Sequence, residues 1–375
     1  MTDQPVPFVD LGRRWPELRA ATLSAVERLG AEGDFSLGEE LALFESEFAT
    51  YCGATHCVGV ANGTVALELA LRALGCGPGR EVISVAHTFV ATVEAIHATG
   101  ATPVLVDIDP VTRCMDPRKL SAALNERTAA VVPVHLYGRP APLAEIREAC
   151  ASRDVPIVED AAQAHGATLS GRRLGSIGAA GCFSFYPTKN LGAMGDGGAV
   201  VTDDDDVAAV SRSLRHHGSA ADDPNRHMLR GRTERLDNLQ AAVLRLRLRR
   251  LDADNADRRR VAAVYREQLA DLPAVLPPQD APEVSSVYHL FVIEIDDRDR
   301  VREALRTRGI ATGVHYPTPV HLQPAWRSLG YGRGTLPATE AAARRALSLP
   351  LFPGIRDAEV ERVCAALRST LEASR

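Results

Sequence analysis

Short, almost wholly apolar runs recur along the first two thirds of the chain. They fall at 81–86 (EVISVA), 103–108 (PVLVDI), 129–134 (AAVVPV), 155–159 (VPIVE), 181–185 (GCFSF) and 198–202 (GAVVT). Runs of this length, rich in valine and isoleucine, predict strands buried on both faces. Between several of them, 64–74 (TVALELALRAL), 88–98 and 140–152 carry apolar residues at helical spacing. Strands alternating with helices imply an α/β fold with a mainly parallel sheet covered on both sides.

The pattern then changes. Residues 235–251 (RLDNLQAAVLRLRLRRL) predict one long amphipathic helix with a basic face, and the charged stretch DADNADRRR follows at 252–260. Beyond it, 287–295 (VYHLFVIEI) predicts a strand, 298–308 a helix, 310–316 a strand and 357–372 a closing helix. We expect a large domain over 1–254 and a smaller α+β domain over 255–375. The four aspartates at 203–206 predict a solvated turn entering a helix.

Composition narrows the function classes. The 375 residues carry a net charge of −5, which argues against a nucleic-acid partner. No apolar run approaches the ~20 residues of a membrane span, and the N-terminus lacks the pattern of a secretory signal, so a cytoplasmic protein is expected. Seven scattered cysteines without a CxxC pair suggest free thiols rather than a metal site or a disulfide framework. Lysine occurs only at 119 and 189 among 43 basic residues, a bias attributable to base composition.

In a doubly wound sheet, ligands gather beyond the carboxyl ends of the strands. Those ends carry His87, Thr88 and Phe89, then His135 and Tyr137, then Asp160 and Gln163, then Ser184, Tyr186 and Lys189. Lys189 sits between Pro187 and the glycine-rich LGAMGDGG. An amine in a partly dry pocket has a lowered pKa and attacks carbonyls, so an aldehyde cofactor, pyridoxal 5'-phosphate, is the natural partner. Such a cofactor needs a carboxylate at its ring nitrogen, which Asp160 supplies, although a helix N-cap is an equally simple reading of that residue. It needs amide donors at a helix start, which Asn62-Gly63-Thr64 provide. It also needs a flat cover, for which Phe89 is placed, and Ser184 can add a hydroxyl to the phosphate.

The segments NGTVAL, HTFVAT, VHLYG, VEDAAQAHGA, FSFYPTKNLGAMGDGGAV and RLDNLQAA together resemble the DegT/DnrJ/EryC1/StrS sugar aminotransferases, from about residue 6 to the C-terminus. The resemblance implies a fold-type I enzyme with a seven-stranded sheet, a homodimer, and pyridoxal phosphate cycling through pyridoxamine phosphate. By that resemblance Lys189 forms the Schiff base, Asp160 meets the pyridine nitrogen and Gln163 the phenolic oxygen. Gly63, Thr64 and Ser184 hold the phosphate, and Phe89 stacks on the ring. Where many members place a phosphate-binding asparagine from the other subunit, this chain reads GRTERLDNLQA, with Thr233 at that position. The stretch GVHYPTPVHLQPAW resembles enzymes that aminate carbon 3 of nucleotide-linked 3-keto-6-deoxy sugars, with glutamate as donor. Tyr186, His315 and Tyr316 would then line the sugar pocket, and Arg226, Arg230 and Arg232 stand where a diphosphate-binding lysine loop is expected. Carbon 4 or a keto-cyclitol are the alternative substrates.

Other readings fit less well. The related dehydratases carry histidine where Lys189 stands. A nicotinamide enzyme needs GxGxxG between a strand and a helix, whereas GCGPG at 75–79 precedes a strand. A non-catalytic protein that keeps the fold would have little use for the lysine–aspartate pair.

Overall fold

The computed structural model describes residues 4–373. Two helices open the chain, α1 (Trp15–Glu32) and α2 (Glu39–Cys52). Then come β1 (His56–Val60), α3 (Gly63–Ala73), β2 (Glu81–Val85), α4 (Ala91–Ala98), β3 (Thr102–Val106), α5 (Pro117–Ala123), β4 (Thr128–Val131), α6 (Leu143–Ala151) and β5 (Val158–Asp160). A small hairpin, β6 (Thr168–Leu169) and β7 (Arg172–Arg173), leads to β8 (Ala180–Ser184), β9 (Gly198–Thr202) and α7 (Asp205–Arg215).

These strands form two groups, ordered β1-β9-β8-β5 and β3-β2-β4. Parallel bridges from Val131 to Ile157 and from Val134 to Asp160 join them. The result is the expected seven-stranded sheet, in which β9 alone runs against its neighbours. Alternate residues of each strand enter different cores, as the two-residue period of a strand requires. Val58, Val82, Ala130, Cys182 and Val200 pack with α3, α4 and α7. Cys57, Ile83, Val131, Phe183 and Val201 pack with α2, α6 and the later helix α8 (Asn238–Leu248). Burial on both faces explains why the strands read as continuous apolar runs.

The expected helix over 235–251 is shorter. α8 begins after Asp237 and ends at Leu248, and α9 (Leu251–Gln268) follows within two residues. The charged stretch 252–260 therefore lies inside α9, which presents Val261, Ala262 and Tyr265 to a further core. That core gathers β11 (Phe291–Glu294), α10 (Arg298–Thr307), β12 (Ala346–Leu349) and α12 (Asp357–Glu372), after the two-residue β10 (Val284–Ser285) and with α11 (Pro337–Arg345) leading into β12. Val6 also joins it and pairs with Ile310. Instead of the strand expected at 310–316, only Ile310 and Gly313 form bridges, to Val6 and Ser348. The aspartate run behaves as expected: Asp204 caps α7 by accepting from the amides of Asp206 and Val207.

Candidate active site

The antiparallel insertion of β9 shapes the site. Its first residue, Gly198, lies opposite Val60 on one side and Ser184 on the other, at the edge where β1 and β8 end. A side chain there would press into Asn62, since a Cβ on Gly198 would sit 2.4 Å from the Asn62 carbonyl carbon. Glycine lets the turn after β1 fold back over the sheet edge. Gly63 then packs so tightly that a Cβ would come within 2.7 Å of the Ser184 Cβ. The start of α3 is thereby fixed beside the end of β8.

Asn62 caps α3, its side-chain oxygen accepting from the Val65 amide at 3.0 Å while its carbonyl accepts from Ala66. The amides of Gly63 and Thr64 stand ahead of the helical ladder, and a helix start of this kind favours an anion. Ser184 Oγ accepts from the Tyr186 amide at 3.3 Å and keeps its proton free to donate.

Asp160 ends β5, one strand away from β8. It is 6% exposed, and its oxygens accept from Thr92 Oγ1 at 2.8 Å and the Ala162 amide at 3.2 Å. Thr92 in turn meets Thr88 Oγ1 at 2.8 Å, so a two-threonine relay orients the carboxylate. Burial raises the Asp160 pKa, against the opposing pull of Thr92, Ala162 and the Lys189 cation. Burial also pushes the Lys189 amine down to about 8, with Asp160 pulling the other way. An amine shifted this far is partly neutral near neutral pH, as a nucleophile requires.

These groups line one cleft of about 480 Å³, together with Phe89, Gln163, Tyr186, His289, His315 and Tyr316. Phe89 is 53% exposed, so its ring face is open to the cleft. Its ring centroid lies 5.7 Å from that of Tyr316. Gln163 accepts from the Tyr137 amide at 2.7 Å and donates to the Tyr316 hydroxyl at 3.1 Å. His315 bonds Ser348 Oγ through Nδ1 at 2.8 Å, and burial lowers its pKa to about 4.

Eight of the expected binding residues, with Lys189 and Asp160, thus meet in one place. Thr233 does not join them within its own chain. It is exposed, and its hydroxyl lies 3.0 Å from His217 Nε2. Two other strand-end residues serve the framework. His135 is wholly buried between Glu159, at 2.9 Å, and the Ala141 amide, at 3.0 Å. His87 reaches the Tyr137 hydroxyl at 3.0 Å, and that hydroxyl donates to the His315 carbonyl. Sequence reasoning missed Thr92 and His289. Thr92 carried a faint signal, four residues after Thr88 on what became the first turn of α4; His289 sat in an apolar run that read as a strand.

The donor set suits a phosphorylated aldehyde with a basic ring: an amine for the aldehyde, a buried carboxylate for the ring nitrogen, helix-start amides and a hydroxyl for the phosphate, and an exposed aromatic for the ring face. Comparison with known proteins agrees. A transaminase of Streptomyces venezuelae named for dTDP-3-amino-3,4,6-trideoxy-alpha-D-glucose is 47% identical over 98% of this chain and 96% of its own. The crystal structure of S. venezuelae DesV with a ketimine intermediate superposes with a TM-score of 0.95 at 47% identity, covering 98% of this chain and 99% of that one. The structure of NtdA from Bacillus subtilis with bound cofactor PMP gives a TM-score of 0.92 at 32% identity, covering 99% of this chain and 86% of that one. The profile of the DegT/DnrJ/EryC1/StrS aminotransferase family matches residues 16–368. The chain belongs to that family, and it is a pyridoxal-phosphate-dependent aminotransferase.

Proposed function

We propose that the chain moves an amino group from glutamate to carbon 3 of a dTDP-linked 3-keto-6-deoxy sugar, in the cytoplasm, on the way to a glycosylated natural product. The observation that carries this reading is the cleft in which the Lys189 amine and the Asp160 carboxylate share walls with Tyr186, His315 and Tyr316. The identity to a transaminase named for a 3-amino dTDP sugar supports the choice of carbon 3.

The cofactor supplies an aldehyde that accepts the amino group and a ring that stabilises negative charge on the reacting carbon. The chain's own residues do the rest. Asp160 lies at the end of β5 with two hydrogen-bond donors already in place. In this reading it would accept a hydrogen bond from the ring N–H and so favour the charged ring. The amides of Gly63 and Thr64 and the Ser184 hydroxyl would hold the phosphate, Gln163 would donate to the phenolic oxygen, and Phe89 would cover the ring. Lys189 is the residue whose amine would hold the aldehyde group. Once released, its amine takes and returns the proton at the reacting carbon, acting as general base and then general acid. Tyr186, His315 and Tyr316 orient the sugar. His315 is held neutral by burial and so offers no charge to the substrate.

We also propose a homodimer that completes each site. Phe35 is 62% exposed, Met194 51%, Leu37 39% and Leu239 37%. They gather near the start of α8, where Asn238 bonds the Phe35 carbonyl and Gln240 bonds the Met194 amide. Apolar groups concentrated in this way favour a covered surface. Thr233, free of its own cleft, would reach the phosphate of the partner.

Replacing Lys189 with alanine should abolish turnover of a dTDP-3-keto sugar with glutamate and remove the absorbance band near ~410–430 nm expected of a lysine-bound cofactor. Turnover close to wild type would remove the lysine from the mechanism. Faster amination of a 4-keto than of a 3-keto nucleotide sugar would overturn the choice of carbon.

A further inference from the structure

His289 precedes β11 and is only 8% exposed, yet it lines the same cleft as Lys189. Its tautomer can be read from the side chains behind it. The His165 carbonyl can only accept, so the Asn255 amide nitrogen, 2.8 Å away, must donate to it. The Asn255 oxygen then accepts from the Asn190 amide nitrogen at 2.8 Å, and that same nitrogen donates to the Val287 carbonyl at 3.1 Å. Both carbonyls fix the same orientation, which leaves the Asn190 oxygen as an acceptor. It lies 3.1 Å from His289 Nδ1, so Nδ1 carries the proton. The neutral ring must then present a bare lone pair at Nε2. Among the described residues no donor reaches that nitrogen.

The residue that sets this tautomer is Asn190, next in the chain to Lys189. The lysine amine has no hydrogen-bond partner among the described residues either. A lone pair without a donor and an amine without an acceptor, among the described residues, thus face one cleft. The surrounding groups keep the histidine neutral: burial first, then the cations of Lys189 and Arg258, hold it well below the ordinary imidazole range. Around the amine stand Asp160, His165, His289 and His315; burial lowers the three histidines, and it raises the carboxylate against the pull of Thr92, Ala162 and the lysine itself.

We propose that His289 is a positioning residue for Lys189: its Nε2 is the acceptor to which the lysine amine can turn, across the cleft the two residues share, once the cofactor releases it. A released lysine must wait at a defined point to return the proton to the reacting carbon, and a neutral acceptor holds it there without trapping it as an ion pair. The inference rests on Lys189 being the cofactor-bonding residue.

The full-length protein stripped of cofactor gives the test, because only the neutral amine reacts with pyridoxal phosphate. The second-order rate of covalent band formation, followed against pH, reports the amine's titration midpoint. His289→Phe and His289→Gln both lose the bond to Asn190, but glutamine alone keeps an acceptor at the position of Nε2. A hydrogen bond to a charged amine is worth about a tenfold change in its acidity. We therefore expect His289→Phe to lower the midpoint by about one pH unit, and His289→Gln to stay close to wild type. Equal midpoints in all three proteins, or equal shifts in both variants, would overturn the proposal. Should His289→Phe fail to fold, His289→Met makes the same comparison. If Lys189→Ala still forms the covalent band, the assignment of Lys189 itself falls.

Discussion

Residue identity carries the chemistry here, and it was legible where a residue type is rarely found without a reason. Lys189 and Asp160 stood out because an amine beside a glycine-rich run and an acid at a strand end are costly to bury. Phe89 was visible as an aromatic at a strand end, and its exposure in the structure fits a role as a ring cover. Thr92 and His289 stayed hidden because their roles arise from tertiary neighbours. Nothing in HTFVAT says that the second threonine points at an acid 68 residues later. The relay makes a specific expectation: Thr92→Val removes a donor to Asp160 and leaves the carboxylate less able to stay charged. Turnover should fall by about tenfold, the worth of one hydrogen bond to a charged group, while overall stability changes by less than about 1.5 kcal/mol. Steady-state kinetics with parallel urea denaturation checks both halves.

Lys189 allows a second expectation at the same scale. Its amine is lowered from 10.5 to about 8 by burial, so folding disfavours the charged form. Without cofactor, that penalty is fully present below pH 8 and fades as pH rises toward 10.5. Lys189→Met should therefore stabilise the cofactor-free protein near pH 7, by about 1–3 kcal/mol, and the gain should shrink steadily between pH 8 and 10. Urea denaturation at several pH values measures it. A gain that does not change with pH would mean that the methionine simply packs better.

Among the elements, the parallel strands could be read from sequence because both faces are buried and the runs are apolar throughout. β1 (HCVGV) and β12 (ALSL) are as long as strands that could be read, but histidine and glycine in the first and serine in the second break the apolar run. α1 was not legible because most of its surface faces outward and it buries only Thr22 and Leu29. The break between α8 and α9 lacks glycine or proline, so the sequence has no punctuation there. We propose that the second domain begins near residue 255; because that point lies within α9, the helix would belong to both units, and Val6 would return to the second. α3 matters most for the site, since its first turn faces the proposed phosphate. Asn62→Ala should cost about 1 kcal/mol of stability through the lost cap. It should also weaken pyridoxal phosphate binding more than Thr64→Ala does, because the whole turn loosens. Equilibrium dialysis against the cofactor distinguishes the two variants.

At the scale of the whole molecule, buried histidines set the acid limit of the fold. His87 is lowered to about 4, His165 to about 3 and His315 to about 4, in each case mainly by burial. His165 packs against Phe183 and Phe185, with centroids 5.3 and 5.8 Å apart. In the unfolded chain each takes a proton near its ordinary value, about 6.5, so the unfolded state binds more protons below that pH. Stability is then complete above pH 6.5 and is lost as pH falls toward 4. Glu359 extends the loss further down: its bonds to Arg13 and Arg356 outweigh its burial and hold it at about 2, so its contribution disappears as pH falls from 4.5 to 2. The steepest decline should therefore lie between pH 6 and 4, where the unfolded chain has taken up these protons and the folded protein has not. Replacing His165 with phenylalanine, which keeps the aromatic contacts and removes the titrating group, should flatten that decline by about one proton's worth of slope, 1.4 kcal/mol per pH unit. Urea denaturation of the two proteins at pH 7, 6, 5 and 4 decides it. Parallel curves would show that some other group carries the acid sensitivity.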